Sequence, residues 1–114
     1  MKFKTTSIFD KRISKLLTKD EYVQMRQALT DNPNLGAIMR GTGGVRKMRW
    51  AIGHRGKSGG VRLIYYWHNP DIENDEIYLL FAFLKNEQEN LTGKQKLELK
   101  KLIKSEYENE PNNE

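Results

Sequence analysis

The stretch VRLIYYWHNPDIENDEIYLLFAFL, residues 61–84, decides the fold, because it holds two strand-forming segments on either side of a polar turn. Residues 61–67 are rich in β-branched and aromatic side chains, which favour a strand. Residues 77–84 form a continuous apolar run, which is typical of a central strand buried on both faces, although periodicity alone also allows a buried helix. Because the connection is short, the two segments are predicted to pair as neighbouring antiparallel strands.

The N-terminal part of the chain predicts a short strand and two helices. Residues 2–9 alternate charged and apolar side chains, as a strand does. Residues 10–17 place apolar side chains at helical spacing, and Thr18 with Glu21 forms a capping box that opens a second helix. We expect that helix to end at Asn32, since the residue before a proline is disfavoured in a helix.

The remaining segments complete an α+β domain. Residues 45–52 alternate as a strand, and Thr92 with Gln95 forms a second capping box before a helix. The apolar face of this helix consists of Leu99, Leu102, Ile103 and Tyr107. The order predicts a small antiparallel twisted sheet of about four strands, with two N-terminal helices and a C-terminal helix on one side and a basic face left open. We expect a single domain over residues 1–107 and a polar tail over residues 108–114.

Composition excludes several classes of protein. The chain of 114 residues is long enough for one modest core, and it has no apolar run of the roughly 18 residues needed to cross a membrane. It has no cysteine and two histidines, so we expect no disulfide, no thiolate nucleophile, no metal site and no cofactor. The first residues do not resemble a secretion signal, and we therefore expect a cytoplasmic protein.

Positive charge is concentrated in the middle of the chain. Residues 1–31 carry seven bases and four acids, residues 32–70 carry seven bases and no acid, and residues 71–114 carry six bases and eleven acids. A surface of one sign attracts polyanions, so the middle segment predicts binding to phosphate; a basic surface kept for solubility is the alternative.

Strand alternation brings the cations of this segment to one face. Lys47 and Arg49 share a face because side chains alternate across a strand, and Arg62 of the next strand can join them if the two strands pair. The glycine-rich loop between the strands adds His54, Arg55 and Lys57, and its backbone amides can approach an anion closely. The glycines match neither a P-loop nor a dinucleotide-binding pattern.

A group of cations can cleave RNA without a metal ion. Attack by a 2′-hydroxyl requires a base, charge balance on the phosphorane and an acid for the leaving 5′-oxygen. Crowding a lysine among arginines penalises its charged form, which makes it a better base. Tyr65 and Tyr66 are typical of sheet packing, and either can also stack on a splayed base; His68 is interpreted as a turn residue.

Three blocks of the sequence resemble the RelE/HigB group of bacterial type II toxins, in particular its HigB subgroup. They are GTGGVRKMRWA, HRGKSGGVRLIYYW and IYLLFAFLKNEQENLT, and the resemblance covers roughly residues 1–105. It implies a RelE-like fold and an endoribonuclease that cleaves mRNA in the ribosomal A site, near 16S rRNA, and thereby inhibits translation. It also implies restraint by a cognate antitoxin, which we expect to be a helix-turn-helix protein of HigA type.

The resemblance also assigns roles to residues. It places cations of the family site on Lys47, Arg49, Lys57, Arg62 and Lys85. Together with the basic segment, it leads us to expect catalytic roles for Lys47, Lys57, Arg62 and Lys85, and RNA binding by Arg46, Arg49, His54, Arg55 and Asn86. Lys57, Lys47 and His54 compete for the general base, and Lys85 is the candidate acid. Asn86 stands where several relatives have arginine, and Leu91 stands where others have tyrosine or histidine. Glu87 either orients a neighbour or caps the loop.

Two other functions remain open from sequence alone. A gyrase poison of ParE type would use the same scaffold as a binding protein rather than as an enzyme. A noncatalytic RNA-binding module needs only the basic segment.

Overall fold

A five-stranded mixed sheet forms the centre of the molecule. The computed structural model describes residues 1–51, 60–71, 73–85, 87–88 and 90–108. In chain order the elements are β1 (Lys2–Thr5), α1 (Ser7–Leu16), α2 (Lys19–Asp31), β2 (Ala37–Ile38), β3 (Arg46–Trp50), β4 (Val61–His68), β5 (Glu76–Leu84) and α3 (Gly93–Ile103), which continues into a π-helical turn (Lys104–Glu108). The α+β class, with two N-terminal helices and a C-terminal helix, is confirmed.

The sheet differs from the prediction in two details. Its strand order is β1-β5-β4-β3-β2, so the short edge strand β2 makes it five-stranded rather than four-stranded. The pairs β2–β3, β3–β4 and β4–β5 are antiparallel, whereas β1 lies parallel to β5. The parallel pair arises because α1 and α2 carry the chain from one edge of the sheet to the other, and the following strands return to β1.

Threonine caps set the helix boundaries. The Thr6 hydroxyl accepts a hydrogen bond from the Phe9 backbone N–H at 3.0 Å, so α1 begins at Ser7, and the predicted strand over residues 2–9 was too long. The capping box of Thr18 and Glu21 at α2 is confirmed, and so is that of Thr92 and Gln95 at α3. These boxes satisfy backbone donors that a helix N-terminus otherwise leaves unpaired.

Both faces of the sheet are covered by helices. On one face α1 and α2 bury Phe9, Met25 and Leu29 against the sheet. On the other face α3 packs over an apolar area that includes Ile64 and Phe83. The prediction that helices cover one side only was wrong, because β5 is apolar on both faces and needs cover on both.

One buried hydroxyl fastens the loop between α2 and β2 to the sheet. Tyr65 is fully buried, and its hydroxyl accepts a hydrogen bond from Gly36 N–H at 2.8 Å and donates one to the Pro33 carbonyl at 2.7 Å. At the start of β4, Gly60 adopts φ +70°, and a Cβ there would lie 2.4 Å from the Trp50 carbonyl oxygen. A side chain at Gly60 is therefore incompatible with the close pairing of β3 and β4.

None of the helices in the described ranges is long and apolar enough to cross a membrane.

Candidate nucleic-acid interface

Three cations of β3 and β4 lie on one face of the sheet. Arg49 is directly opposite Arg62, and Lys47 lies two residues along β3, opposite Ile64. Met48 and Trp50 belong to the core beneath α1 and α2, so the alternating Lys47 and Arg49 lie on the other face. We call Lys47, Arg49 and Arg62 the cationic face.

Arg49 and Arg62 bring two positive charges together on neighbouring strands. Residues directly opposite each other in an antiparallel pair have Cβ atoms only about 5 Å apart, and like charges at that position destabilise the sheet. Arg49 is exposed and Arg62 is half-buried, so an anion can reach the pair from solvent. A phosphate bound between the two guanidinium groups would be attracted to both.

Arg46 lies on the opposite face of the sheet from the other three cations. It pairs with the buried Tyr65, and its guanidinium donates a hydrogen bond to the Gly36 carbonyl at 2.7 Å. The structure therefore gives Arg46 a contact with the loop between α2 and β2 and does not bring it together with the cationic face.

The turn that follows β5 carries Lys85 at the surface. Glu87 closes this turn: its carboxylate accepts a hydrogen bond from Leu84 N–H at 2.9 Å, and its own N–H donates to the Leu84 carbonyl at 3.0 Å. The same carboxylate forms an ion pair with Arg12 of α1, whose Nε donates to the Ala82 carbonyl at 2.6 Å. Of the two roles open to Glu87, these contacts correspond to capping the turn.

The far end of the turn contacts the cationic face. The Lys47 ammonium donates a hydrogen bond to the side-chain oxygen of Asn90 at 3.1 Å. The Gln88 amide donates to the Asn90 carbonyl at 2.8 Å and to the Gln95 side-chain oxygen at 2.9 Å, within the N-terminal cap of α3. Asn90 was not predicted as a site residue, although the polar run 85–90 directly after an apolar strand was a signal that the segment contributes polar groups to a surface.

Four predicted site residues lie outside the described residues: His54, Arg55, Lys57 and Asn86. Their assigned roles stay predictions, as do those of Arg46, Lys47, Arg49, Arg62 and Lys85. Leu91 is buried beneath α3 and belongs to the core on that face.

A second group of titratable residues lies where the π-helical turn meets β1, β4 and β5. The Tyr107 hydroxyl donates to Glu76 at 2.7 Å, and the ring of His68 stacks on that of Tyr107 with centroids 4.1 Å apart. Burial, together with the hydrogen bond to Glu76 and the nearby carboxylates, raises the pKa of the Tyr107 phenol well above its ordinary value. Although partial burial opposes its charged form, the carboxylates of Glu106 and Glu76 raise the pKa of Lys4. This group fastens the π-helical turn to the sheet.

His68 is the last residue of β4, so its interpretation as a turn residue was wrong.

A cavity lined by described residues lies apart from the cationic face. A mainly apolar cavity of about 260 Å³ lies between α3, β5 and the start of α1, lined by residues that include Ile8, Phe81 and Leu99. Its described lining contains no lysine or arginine, so it is separate from the cationic face. Within the described ranges, no three histidine, aspartate or glutamate side chains are grouped as metal ligands would be.

Comparison with protein-family models gives one match over nearly the whole chain. Residues 2–112 match the model described as the RelE toxin of the RelE / RelB toxin–antitoxin system. The match includes every element of the sheet and the segments that carry the cations.

Proposed function

The chain belongs to the RelE toxin family of RelE/RelB toxin–antitoxin systems, and from this premise we propose that it is a metal-independent endoribonuclease. Its substrate is mRNA in the ribosomal A site, and its cleavage inhibits translation. The observation that carries the proposal is the pairing of Arg49 with Arg62 on a sheet face that also holds Lys47. The acid-free sequence over residues 32–70 supports it, because no carboxylate of that segment offsets the cations.

Cleavage requires charge stabilisation on the phosphate. As the 2′-oxygen attacks, negative charge grows on the non-bridging oxygens of the phosphorane. Arg49 and Arg62 lie on neighbouring strands, so a phosphate above them can accept hydrogen bonds from both guanidinium groups. Donors fixed on a sheet need little reorganisation as this charge develops, which is the condition for electrostatic catalysis.

Proton transfer requires a base and an acid on either side of the phosphate. Lys47 lies beside the arginine pair, and the sequence between β3 and β4 contains Lys57 and His54. These three residues are the alternative candidates for the general base. Lys85 is exposed on the turn after β5 and is the candidate acid for the leaving 5′-oxygen. Arg55 and Asn86 are also assigned to RNA binding. Arg46 was assigned to RNA binding from the sequence, but its position on the other face of the sheet gives that assignment no support.

The partners follow from the same proposal. A family of toxins in toxin–antitoxin systems implies an antitoxin partner, and we propose a helix-turn-helix antitoxin of HigA type, with this chain in the HigB subgroup. The compartment is the cytoplasm, where the ribosome and the antitoxin meet the toxin.

Mapping of 5′ ends in a purified translation system tests the proposal. A reporter mRNA is incubated with the wild-type chain, Arg62→Ala, Lys57→Ala and the control Lys11→Ala, an exposed lysine of α1, with and without ribosomes. We expect ribosome-dependent cuts within codons for the wild type and Lys11→Ala, and a loss of about tenfold or more in rate for Arg62→Ala and Lys57→Ala. Intact mRNA with the wild-type chain would contradict the proposal, and inhibition of gyrase supercoiling would then favour the ParE-type alternative. Binding of RNA without cleavage would favour the noncatalytic module.

A further inference from the structure

Asn90 accepts a hydrogen bond from a cation that the proposed reaction uses. We propose that Asn90 is a positioning residue, which holds the Lys47 ammonium in place beside Arg49 and Arg62 without neutralising its charge. This inference rests on the proposed function and extends it to a residue that would act on RNA only through Lys47. The carrying observation is the distance of 3.1 Å between Lys47 Nζ and the side-chain oxygen of Asn90.

A free lysine is poorly suited to the task. Its ammonium is a compact charge at the end of a flexible four-carbon stem, and fixing that stem costs rotamer entropy. An acceptor that restrains the ammonium before RNA binds lowers this cost at the moment of reaction. Asn90 lies in a different segment of the chain, 43 residues away from Lys47, and its contact is with the ammonium group. It therefore restrains the end of the lysine side chain rather than the carbons next to the backbone.

The acceptor is a neutral amide rather than a carboxylate. An aspartate at residue 90 would make an ion pair with Lys47 and cancel part of the positive field that draws phosphate. An amide oxygen satisfies one of the three ammonium donors and leaves the charge and the other two donors for RNA. Asparagine and aspartate have nearly the same shape. A comparison of the two at residue 90 therefore distinguishes the effect of positioning Lys47 from the effect of changing the local charge.

Asn90 is itself held in place from the side of α3. Gln88 donates to its backbone carbonyl at 2.8 Å and to Gln95 at 2.9 Å, and Gln95 belongs to the capping box of α3. The next residue, Leu91, is buried against the sheet. A side chain acts as a positioning group only when its own backbone is supported, and this chain of contacts supplies that support.

A double-mutant cycle tests the inference on the cleavage reaction. We expect Asn90→Ala to lower kcat about three- to tenfold, which corresponds to loss of one hydrogen bond to a charged group at the surface, and to leave KM within about twofold. Lys47→Met removes the group through which Asn90 acts. Lys47→Met/Asn90→Ala should therefore cleave at the rate of Lys47→Met alone.

Two further variants sharpen the cycle. Asn90→Asp keeps the acceptor and adds a negative charge, so we expect it to weaken binding of an RNA with a 2′-deoxy scissile nucleotide more than Asn90→Ala does. Asn34→Ala is the matched control, because Asn34 is an exposed asparagine in the loop between α2 and β2; it should leave kcat and KM unchanged. Losses in kcat that add in the double variant, or equal binding by the alanine and aspartate variants, would overturn the inference.

A spectroscopic measurement separates this inference from the proposed function. The side-chain amide resonances of Asn90, recorded by ¹⁵N NMR, should shift in Lys47→Met and stay unchanged in the control Lys11→Met. Unshifted resonances in Lys47→Met would overturn the positioning role even if the wild-type chain cleaves RNA. Shifted resonances in a chain that cleaves no RNA would leave the contact intact and refute the proposed reaction, and with it the role of Asn90 in that reaction.

Discussion

Replacing Arg49 by glutamine should make the free protein more stable while it impairs binding of RNA. Arg49 is exposed and directly opposite Arg62, so the substitution removes one of two facing positive charges and little packing. A gain in stability that is accompanied by a loss of RNA binding would indicate that Arg49 is retained for its ligand, since functional sites often reduce the stability of the free protein.

The expected gain follows from the geometry of the pair. Two unit charges about 6 Å apart repel by about 0.7 kcal/mol in water, which is within the range of roughly 0.2–1 kcal/mol for cross-strand pairs. A chain of this length unfolds with an entropy of about 0.24 kcal/mol/K, so the gain corresponds to a rise in Tm of about 3 °C. In about 1 M salt, where the Debye length falls to about 3 Å, the rise should shrink below about 1 °C.

Thermal unfolding at low and high salt measures this prediction. Lys11→Gln is the matched control, because it removes one positive charge from an exposed position of α1. Both substitutions lower the net charge of +5 by one. Subtracting the change in Tm of Lys11→Gln from that of Arg49→Gln therefore removes the general effect of net charge on stability. A short 2′-deoxy oligonucleotide should then raise the Tm of the wild type and of Lys11→Gln more than that of Arg49→Gln, because a ligand stabilises in proportion to its affinity.

A lower Tm for Arg49→Gln, or a gain no larger than that of Lys11→Gln, would refute the reasoning. In that case the two guanidinium groups would not repel each other in the free protein, and their pairing would carry no argument for a bound anion.

Three further changes test other parts of the structure. Tyr65→Phe should lower the free energy of unfolding by about 1–3 kcal/mol in urea denaturation, because Gly36 N–H loses its buried acceptor; a change below 0.5 kcal/mol would contradict this. The pKa of the Tyr107 phenol is raised in the folded chain, so the phenol ionises first in the unfolded chain. The free energy of unfolding should therefore fall as pH rises above about 10. Tyr107→Phe should lose less stability over that interval, and an equal loss would be evidence against the assigned cause. Glu87→Gln weakens the cap on the turn, so the Leu84 amide should exchange about three- to tenfold faster by hydrogen exchange, while unchanged exchange would show that the cap is dispensable.

Local patterns in the sequence were sufficient to predict most of the elements. The capping boxes at Thr18 and Thr92 predicted where α2 and α3 begin, because a cap involves residues only three positions apart. The prediction made β1 too long and began α1 too late. Thr6 can be recognised as a cap only if a helix follows it, and the sequence after Thr6 indicates that helix only weakly.

The surroundings of the site were less accessible to sequence reasoning. Alternation along β3 predicted that Lys47 and Arg49 share a face, and the pairing of β3 with β4 places Arg62 on it. The contact of Lys47 with Asn90 joins residues 43 positions apart, and no local pattern specifies it. The same applies to the pairing of Arg12 with Glu87 across 75 positions.

By itself the sequence determined the α+β class, the capping of two helices and the separation of charge along the chain. These properties depend on neighbours within a few residues or on composition, so they can be read without coordinates. The tertiary structure alone decided the parallel pairing of β1 with β5, the placement of α3 on the opposite face from α1 and α2, the position of Arg46 away from the other cations and the contact of Asn90 with Lys47. Each of these depends on which distant segments meet when the apolar faces of the strands and helices are buried together, and that is a property of the whole chain.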